Sequence, residues 1–505
     1  MEKPMKRLFS FCIALLCITG VCAYTNPILP YDYSDPDVCR VGNGYYMTSS
    51  SFNCIPGLQI LHSADLVNWT LVDAALPYCV PGTEDETTPQ YGGGVWAPSI
   101  RYHNGRFYIY YGDPDRGIWC VRSEETAILP CRWEKAVLVK RGKGLIDPCP
   151  LWDSNGRVYL VHAFAGSRAG FKSALAVCEL AADGLSCLTE SCLVFDGHPD
   201  NPTCEGPKFH KRNGYYYIFC PAGGVSTGWQ LVLRSRSPYG PYETKRVLEQ
   251  GQTGINAPHQ GAWVTSEPIQ TGLGTFTDWF FHFQDVGVAG RIVHLQPMRW
   301  ADDWPVMGNN GEPVSECRLP EEKRMPVQPQ PGITPAWRDD FDGNTLALCW
   351  QWSGNFRPQY AFCNASQSLL RLFSYPADSV PAAPNLLLQK IPAGRAFTAT
   401  AKVRFSPHPK TAQYERAGLI VAGRKCFLLD APADGNYVWL RVEMTATQQG
   451  RFYLSRDGKT YIPVGAPFQA VEGEWIGAKI GLYCSRRPVK INDSGYMDVD
   501  YFEIR

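Results

Sequence analysis

Four short segments of the chain share one pattern of apolar and polar positions. In each segment an apolar run leads to an Asn-Gly pair, and an aromatic or β-branched run follows the pair. The pairs are Asn43-Gly44, Asn104-Gly105, Asn155-Gly156 and Asn213-Gly214. Asn and Gly both accept the positive φ that a type I′ turn requires, so the pattern predicts a β-hairpin at each pair.

The residue eight positions before each Asn marks the start of a repeat. These residues are Asp35, Trp96, Asp147 and Glu205, at spacings of 61, 51 and 58. A fifth unit is predicted to open at His259, with residues 278–283 as its second strand and a longer loop in place of Asn-Gly. Units of about 50 to 60 residues with four strands each are typical of propeller blades. The sequence therefore predicts an all-β fold that begins with a five-bladed β-propeller over residues 24–308.

After the repeats the chain becomes rich in proline, and a different pattern follows. The proline-rich, polar stretch over residues 309–336 is predicted to be a linker. Between residues 337 and 505, strand-length runs alternate with Gly, Pro, Asp and Asn turns; these runs are 397–405, 418–422, 437–444, 475–484 and 497–504. They predict a second all-β domain, a β-sandwich, in which nothing has the look of a catalytic set.

The first 23 residues have the pattern of a secretory signal peptide. Lys3, Lys6 and Arg7 precede an apolar run over residues 9–18, and a small-residue site ends at Ala23. The apolar run is too short for a membrane span, and no other stretch is long enough to be one. We therefore expect cleavage before Tyr24 and export to the periplasm or the outside, with lipidation of Cys22 as the alternative.

Composition excludes some classes of function. The 48 basic and 48 acidic residues give a formal net charge of zero, which lacks the basic excess of a nucleic-acid binder. The 15 Trp and 26 Tyr suit packed β-structure or a surface on which sugar rings stack. No C-x-x-C pair is present, which argues against a zinc framework, so most cysteines are expected to be free and buried. A bridge between Cys187 and Cys192 is the alternative for that pair.

Three of the repeat-start residues are acids, and this suggests general acid–base catalysis. Equivalent positions of propeller blades meet around the central channel, so the repeat-start residues, with His259, are expected to converge at one end of it. Crowded carboxylates repel one another, which raises at least one pKa and provides a proton donor at neutral pH. A second, ionised carboxylate can activate water or attack directly, as glycoside hydrolysis requires. Asp37 is an alternative to Asp35, because two residues along a strand face the same side.

Six motifs carry a resemblance to a known family. They are N-P-I-L-P-Y-D-Y-S-D-P-D over 26–37, the run P-G-L-Q-I-L-H-S-A-D-L-V-N-W that ends at 69, G-V-W-A-P-S-I around 96, L-I-D-P-C-P-L around 147, C-E-G-P around 205, and H-F-Q-D with G-R-I-V-H-L-Q-P-M between 282 and 298. This set resembles glycoside hydrolase family 43, the β-xylosidase and α-L-arabinofuranosidase family. The C-terminal part resembles, more loosely, the concanavalin-like sandwich often attached to these propellers.

The resemblance implies a role for each candidate residue. It makes Asp35 the general base, Glu205 the general acid, and Asp147 the residue that orients the acid and tunes its pKa. Phe52, Trp96, Arg291 and His259 are implied as substrate-site residues, with His259 at the channel floor. In some relatives such a histidine acts through a bound calcium ion, so a structural calcium near His259 is left open, while no cofactor is expected to be required. The family is inverting, which places the two main carboxylates on the order of 6.5–9.5 Å apart.

The function implied is release of terminal xylose or arabinofuranose from plant cell-wall carbohydrate by an exo-acting, inverting glycosidase. An open groove would instead indicate an endo-arabinanase. A retaining propeller of the invertase type would need W-M-N-D-P-N-G near its first strand, where this chain has Y-S-D-P-D-V. A non-catalytic carbohydrate-binding propeller would keep the aromatic residues but would not need three acids in register. The partner expected is a carbohydrate, without nucleic acid or a membrane span.

Overall fold

The computed structural model describes residues 23–79, 89–124, 129–318 and 337–505. Most of the predicted signal peptide (1–23) and much of the predicted linker (309–336) lie outside the described residues. Within these ranges the chain is all-β, as the sequence predicts, and its single α-helix is one turn long, Gly166–Ala169. No helix in these ranges is long and apolar enough to cross a membrane.

After a short first strand, β1 (Tyr24–Thr25), five four-stranded antiparallel sheets follow one another, and in each sheet every strand pairs with the next along the chain. The first sheet contains β2 (Asp37–Val41), β3 (Gly44–Thr48), β4 (Gly57–Ser63) and β5 (Thr70–Leu76). The second contains β6 (Trp96–His103), β7 (Arg106–Asp113), β8 (Gly117–Arg122) and β9 (Val137–Arg141). The third contains β10 (Leu145–Trp152), β11 (Val158–Phe164), β12 (Ala174–Leu180) and β13 (Cys192–Asp196). The fourth contains β14 (Lys208–Arg212), β15 (Tyr215–Ala222), β16 (Trp229–Ser235) and β17 (Glu243–Glu249). The fifth contains β18 (His259–Thr271), β19 (Gly274–Asp285), β20 (Arg291–Ala301) and β21 (Trp304–Met307).

The first strands of successive sheets lie next to one another. Strand β2 contacts β6, β6 contacts β10, and β10 contacts β14. Strand β18 lies against β15 of the fourth sheet on one side and against β2 of the first sheet on the other. Apolar clusters fill the spaces between neighbouring sheets, as for Ile100 and Ile109 of the second sheet, which pack with Leu58 and Ile60 of the first. This arrangement brings the beginnings of all five sheets to one place.

The predicted type I′ turns are confirmed in the second and fourth sheets. Asn104 and Gly105 have φ of 47° and 81°, and Asn213 and Gly214 have φ of 50° and 75°. In both hairpins the residues that flank the pair are register partners. The positive φ that a type I′ turn needs is therefore met by the residues that tolerate it best.

The other hairpins close differently from the prediction. In the first sheet the two turn residues are Gly42 and Asn43, one position earlier than Asn-Gly. In the third sheet Trp152 pairs with Val158, which leaves a five-residue loop between them. In the fifth hairpin β18 and β19 extend to a two-residue turn instead of the longer loop that was expected. The two strands extend this far because apolar residues near the turn, the register partners Ile269 and Phe276, pack into the core.

The chain bends near the start of every sheet. At this bend φ is positive for Asp35 (55°), Ala97 (29°), Asp147 (56°), Gly206 (57°) and Gln260 (32°). Asp35 and Asp147 thus occupy the bend itself. Trp96, Glu205 and His259 come one residue before it. In these three units the residue equivalent to Asp35 and Asp147 is therefore one position later than the repeat pattern predicted. Positive φ is tolerated by Asp better than by most residues, and such strained positions cluster at functional sites.

The C-terminal part is a β-sandwich, as expected. Its larger sheet contains β23 (Trp337–Asp339), β25 (Ala361–Asn364), β26 (Leu369–Phe373), β29 (Phe397–Ser406), β32 (Val438–Met444), β33 (Gln449–Ser455), β34 (Ile462–Gln469) and β36 (Tyr496–Ile504). Its smaller sheet contains β24 (Gln351–Trp352), β27 (Tyr375–Pro376), β28 (Leu387–Lys390), β30 (Glu415–Ala422), β31 (Phe427–Asp430) and β35 (Lys479–Arg486). Leu440 and Phe502 of the larger sheet pack with Leu419 and Leu482 of the smaller one in a shared core. The remaining short strand, β22 (Glu316–Cys317), pairs with β1, and the 3-10 turns are Gly287–Ala289, Pro358–Tyr360, Ala365–Gln367 and Ala412–Tyr414.

The sandwich is hydrogen-bonded to the first part of the chain. Ile55 and Trp352 exchange two backbone hydrogen bonds of 3.0 and 2.6 Å. The Gly477 N–H donates to the Asp32 carboxylate (2.9 Å), and the next N–H, that of Ala478, donates to the Val288 carbonyl (2.7 Å). These bonds fix the segment that precedes β35 against the five-sheet part.

The cysteines in the described ranges are all free, as expected for most of them. The alternative bridge between Cys187 and Cys192 does not form. The Cys187 Sγ instead lies 3.8 Å from the Lys140 ammonium, and Cys192 is exposed.

Candidate active site

A cavity of about 640 Å³ opens where the bends of the five sheets meet. The three acids predicted from the repeats, Asp35, Asp147 and Glu205, all line it. Arg291 also reaches the cavity, and its apolar wall is formed by Phe52, Trp96, Phe164, Phe171 and Trp475. Carboxylates beside aromatic rings in a concave site are suited to a sugar, whose C–H faces stack on rings while its hydroxyls bind polar groups.

Asp35 is held by one neutral and one charged partner. The Ser50 hydroxyl donates to its Oδ2 (2.5 Å), and the Arg291 guanidinium donates to its Oδ1 (3.1 Å). Ser50 is fixed in turn, because its Oγ accepts the N–H of Ala97 (2.7 Å). Asp35 is only 5% exposed, so these two contacts compensate a negative charge that little water reaches. This arrangement suits a carboxylate that accepts a proton.

Asp37 has a structural role instead. Its carboxylate accepts hydrogen bonds from the Ile100 N–H (2.8 Å) and from Arg101 (2.6 Å), both on the second sheet. It does not line the cavity. The expectation that Asp35 and Asp37 face the same side fails because Asp35 sits at the bend, before β2 begins, and strand alternation does not extend to it.

Asp147 is buried beside the other two acids. Its Oδ2 accepts the N–H of Gly206 (2.8 Å), the residue that follows Glu205. Burial raises the pKa of Asp147 to about 7, helped by the charge of Asp35 and opposed by the Gly206 N–H, Lys208 and Arg291. Position 206 has to be glycine, since φ is 57° there and a Cβ would lie 2.1 Å from the Gln260 side chain. Asp147 is therefore linked directly to the backbone that carries Glu205.

Glu205 is the acid most inclined to hold a proton. Burial, and the charges of Asp147 and Asp35, raise its pKa to about 8, while Arg291 and Lys172 oppose the rise. Its side chain remains 28% exposed, so an oxygen atom in the cavity can reach it. Two close carboxyls with raised pKa values titrate as a pair and share at least one proton at neutral pH. That proton is available for transfer to a leaving group.

His259 lies beneath Glu205 and not on the cavity wall. It is 1% exposed, and its Nε2 lies 3.7 Å from the Glu205 Oε1. Burial and the charge of Arg291 lower the pKa of His259 to about 3, so the imidazole is neutral and the contact is not an ion pair. This buried place fits the predicted position of His259 at the channel floor, where it supports the acid, and its predicted role in substrate binding stays a prediction.

The residues around His259 do not by themselves form a calcium site. Neither ring nitrogen has a hydrogen-bond partner among the described residues. Calcium, however, takes six to eight oxygen ligands. No group of three or more His, Cys, Asp or Glu side chains in the described ranges is arranged to hold a metal ion. The calcium left open by the sequence stays a prediction, and no step of the mechanism below uses it.

Arg291 links the base to the rest of the site. Besides its bond to Asp35, its Nε lies 3.6 Å from the Asp285 carboxylate, and its guanidinium lies over the Phe283 ring at 4.8 Å. The nearby acids raise its pKa above the usual arginine value, although burial opposes them. Arg291 therefore carries a permanent positive charge at the cavity edge, where it can donate to a sugar hydroxyl.

Trp96 and Phe52 form part of the cavity wall, as predicted. The Trp96 indole N–H donates to the Gly92 carbonyl (2.9 Å), which fixes the ring. Phe52 is 2% exposed and has a φ of 51°, and its backbone exchanges hydrogen bonds with Val95. Phe52 lies in the loop between β3 and β4 of the first sheet, and Trp96 begins β6 of the second, so the hydrogen bonds between Phe52 and Val95 bring the two rings together.

Three aromatic wall residues, Phe164, Phe171 and Trp475, were not predicted from the sequence, and Trp475 comes from the most distant part of the chain. It belongs to the sandwich, is 52% exposed, and meets Trp96 edge-to-face at 6.4 Å. The run 475–484 was predicted to be one strand, but β35 starts only at Lys479, because Trp475 has a φ of 63° and cannot lie in a strand. No spacing in the sequence connects it with the repeats, which end far earlier. The second domain thus contributes directly to the cavity.

Comparisons with known proteins agree with this geometry. The description "Glycosyl hydrolases family 43" matches residues 24–305, and "Beta xylosidase C-terminal Concanavalin A-like domain" matches residues 338–431 and 428–505. The chain belongs to glycosyl hydrolase family 43. As a family 43 member it is a glycosidase and acts on carbohydrate.

Individual relatives of this family 43 chain cover between 79% and 96% of its length. A protein of Xylanibacter ruminicola, named provisionally as a β-xylosidase, is 38% identical over 91% of this chain and 85% of its own. A non-reducing end α-L-arabinofuranosidase of Bacteroides ovatus is 29% identical over 79% of this chain and 73% of its own. A solved structure of a GH43B protein of Bacteroides ovatus has a TM-score of 0.75 and 25% identity, and covers 96% of this chain and 100% of that one. The first relative and the solved structure thus extend over both parts of the family 43 chain.

The contact between Asp147 and Gly206 predicts how this family 43 chain responds to loss of one charge. Asp147→Asn removes the negative charge beside Glu205 but keeps an oxygen for the Gly206 N–H. The pKa of Glu205 should fall, because one of the charges that raises it is gone. We expect the alkaline limb of kcat/KM to move to lower pH, with a loss of about 10-fold to 100-fold in rate from disturbed positioning. Profiles of kcat/KM from about pH 5 to about pH 9 measure this; an alkaline limb that does not move would contradict it.

Proposed function

We propose that this chain is an exo-acting, inverting glycosidase that releases terminal xylose or arabinofuranose from plant cell-wall polysaccharides or their oligosaccharides. The observation that carries the proposal is the contrast between two carboxyl groups of one cavity. Asp35 accepts hydrogen bonds from Ser50 and the Arg291 guanidinium, while burial and neighbouring charge raise the pKa of Glu205 to about 8. Groups in environments that differ in this way are suited to act as base and acid.

In the proposed reaction Glu205 gives its proton to the glycosidic oxygen as the bond to the anomeric carbon breaks. Asp35 takes a proton from a water molecule, whose oxygen attacks the anomeric carbon from the opposite face. Asp147 holds the backbone after Glu205 through Gly206, and its charge keeps the proton on the acid. Arg291 holds Asp35 in place and can bind a sugar hydroxyl. The product sugar leaves with inverted configuration at its anomeric carbon.

Exo action is supported by the way the cavity is walled. Trp475 stands on one side of it, on a segment that is hydrogen-bonded to Asp32 and Val288 and is therefore fixed. A wall of this kind suits a pocket that receives a chain end, whereas an endo-acting enzyme needs a groove that is open at both ends. We further propose that the five sheets are the blades of a five-bladed propeller, which the contact between β18 and β2 supports.

The test of this function is kcat/KM on two aryl glycosides, the β-D-xylopyranoside and the α-L-arabinofuranoside. Turnover of either one is expected, and the ratio of the two values identifies the preferred sugar. Both sugars are named because relatives carry the names of both activities. If neither aryl glycoside is turned over and the enzyme instead cleaves arabinan or xylan at internal bonds, the exo proposal is replaced by an endo-acting one. Binding of oligosaccharide without any turnover would indicate a carbohydrate-binding propeller.

Trp475→Ala tests the contribution of the second domain. Loss of an exposed ring that stacks on a sugar is expected to cost about 1–2 kcal/mol of binding. We therefore expect KM to rise about 5-fold to 30-fold, with kcat changed less. Steady-state kinetics on the preferred aryl glycoside measure the two constants. Trp304→Ala, which changes a tryptophan of β21 outside the cavity, is the control and should leave KM unchanged.

We also propose that the protein works outside the cytoplasm, in the periplasm or the medium. The basic start, apolar run and small-residue site within residues 1–23 support this. Mass spectrometry of the mature protein from its native host should find Tyr24 at the N-terminus; an intact Met1 in a cytoplasmic fraction would contradict the proposal.

A further inference from the structure

A second, much smaller cavity lies between the five-sheet part and the sandwich, behind the wall of the active site. Its volume is about 10 Å³, which is room for one particle the size of a water molecule. The five-sheet part contributes Asp32, Gln59 and the serines Ser49, Ser50 and Ser51, and the sandwich contributes Gln351, Lys390 and Lys479. These eight side chains are polar, and the other two lining residues are Phe52 and Ile476. A buried space with so polar a lining needs a guest that satisfies its polar groups.

The two lysines of this cavity lie next to each other on one sheet. Lys390 and Lys479 are register partners on the neighbouring strands β28 and β35, so their side chains lie on the same face of the sheet. Lys479 is only 6% exposed. Two positive charges placed opposite each other on a sheet repel, and burial makes the repulsion stronger.

Protein groups do not neutralise these charges. In the part of the chain that the structure describes, neither ammonium makes a hydrogen bond or an ion pair; Lys390 lies over the Tyr33 ring at 3.3 Å, and Lys479 has no such contact. The one carboxylate of the cavity, Asp32, is already engaged by Ser34 (2.9 Å) and by the backbone N–H groups of Arg291 (3.1 Å) and Gly477 (2.9 Å). Burial and the neighbouring Lys479 charge lower the pKa of Lys390, and Asp32 opposes them, so Lys390 needs a further negative charge nearby to stay protonated. With both amines protonated, two ammonium groups against one carboxylate leave an excess of one positive charge.

Two serine hydroxyl groups of the same cavity are available as hydrogen-bond donors. The Ser51 Oγ accepts the Leu58 N–H (3.2 Å), so its own proton is available for donation. Ser49 is 2% exposed and has no hydrogen-bond partner for its hydroxyl among the described residues. Buried ammonium and hydroxyl donors around a space for one particle match the needs of a small anion, which accepts from all of them at once.

We propose that this cavity is a binding site for a monatomic anion, with chloride as the physiological occupant, held between Lys390 and Lys479. One negative charge neutralises the excess and bridges two ammonium groups that otherwise repel. The size of the cavity excludes carboxylates, phosphate and other polyatomic anions. The site is distinct from the sugar cavity and does not depend on which sugar the enzyme cleaves.

The anion connects the sandwich to the catalytic base. Ser50, on the cavity wall, is the residue that donates to Asp35, and Phe52 lines both cavities. Ile476 lines the anion cavity, while its neighbour Trp475 lines the sugar cavity. An occupant between the lysines therefore stabilises both the strained segment around Trp475 and the segment that positions Asp35.

The direct test is diffraction from crystals of the full chain soaked in sodium bromide, because bromide can take the place of chloride and scatters anomalously. An anomalous peak between the ammonium groups of Lys390 and Lys479 is expected. Its absence would overturn the proposal and would indicate that the cavity holds water and that Lys390 is a neutral amine.

Thermal unfolding gives a second test, in sodium chloride against sodium gluconate at equal ionic strength. Gluconate is too large for the cavity, so the melting temperature in chloride should be higher by about 2–4 °C. Lys479→Met keeps the aliphatic stem without the charge and should abolish the difference, as should Lys390→Met if the first variant does not fold. Lys402→Met, at a partly buried lysine that is paired with Asp500 and lies outside this cavity, should keep it. A difference that persists in both cavity variants would arise from general salt effects and would contradict the site.

Discussion

Glu205→Gln is expected to lower kcat/KM on a xylo- or arabino-oligosaccharide by about 10²-fold to 10⁴-fold. The glutamine cannot donate a proton, and a sugar leaving group departs poorly without one. An aryl glycoside with an acidic phenol as leaving group needs little protonation, so its kcat/KM should fall much less. The alkaline limb of the pH profile should also disappear, because the group whose pKa is raised to about 8 is gone.

Kinetics on both kinds of substrate, with the variant and the wild type, measure this dependence on the leaving group. Glu190→Gln is the matched control, because the Glu190 side chain is fully exposed and far from the chemistry, and it should behave as wild type. Equal losses on both substrates would contradict the assignment of Glu205 as the acid, and unchanged activity would exclude it.

The same variant should reduce the loss of stability that the wild type shows as pH rises. The pKa of Glu205 is higher in the folded state than in the unfolded chain, so the folded protein binds a proton more tightly. Its contribution to the free energy of unfolding is complete below the ordinary glutamate pKa and is lost as pH rises through about 8. Glu205→Gln has no charge to bury, so its melting temperature should fall less between pH 5 and pH 9 than that of the wild type. A parallel fall in both proteins would contradict the raised pKa.

Asp35→Asn is expected to lower kcat/KM by about 10³-fold to 10⁴-fold, irrespective of the leaving group. Activation of water by a base is required whichever group departs, so the acidic phenol should bring no relief. The asparagine can still interact with Ser50, which should keep the local fold intact. Kinetics on the same two substrates measure the loss, and recovery with the acidic leaving group would assign Asp35 to another step.

Asp37→Asn is the control for Asp35→Asn, two residues further along. Asp37 is 1% exposed and pairs with Arg101, so loss of its charge should destabilise the fold by about 3 kcal/mol while kcat per folded molecule is retained. Denaturant unfolding and active-site titration separate the two effects. A loss of chemistry in the Asp37 variant equal to that in the Asp35 variant would contradict the division between base and structural acid.

Much of the fold follows from local signals in the sequence. Asn-Gly pairs between apolar runs indicate hairpins because few residues accept positive φ, and their regular spacing indicates repeated sheets. The three acids were found because they recur at one offset from these turns. The offset does not give equivalent positions in every unit, since Asp35 and Asp147 sit at the bend while Glu205 precedes it. A turn that is shifted by one residue, as at Gly42, cannot be recognised from the spacing of the Asn-Gly pairs.

What the sequence could not indicate depends on contacts between distant segments. Trp475 reaches the cavity only because the sandwich docks against the first and fifth sheets, through pairs such as Ile55 with Trp352. The placement of Asp37 away from the cavity required knowledge of the bend before β2. Lys390 and Lys479 look like ordinary surface lysines in the sequence, and only their pairing across two strands shows that they are enclosed together.

The measurement that tests the central claim most directly is a proton NMR time course of hydrolysis of the preferred glycoside by the wild-type enzyme. Catalysis with Asp35 as base and Glu205 as acid predicts that the first sugar formed has the anomeric configuration opposite to that of the substrate, before mutarotation mixes the two. A first product with retained configuration would contradict this account, because it would require a carboxylate that attacks the sugar directly.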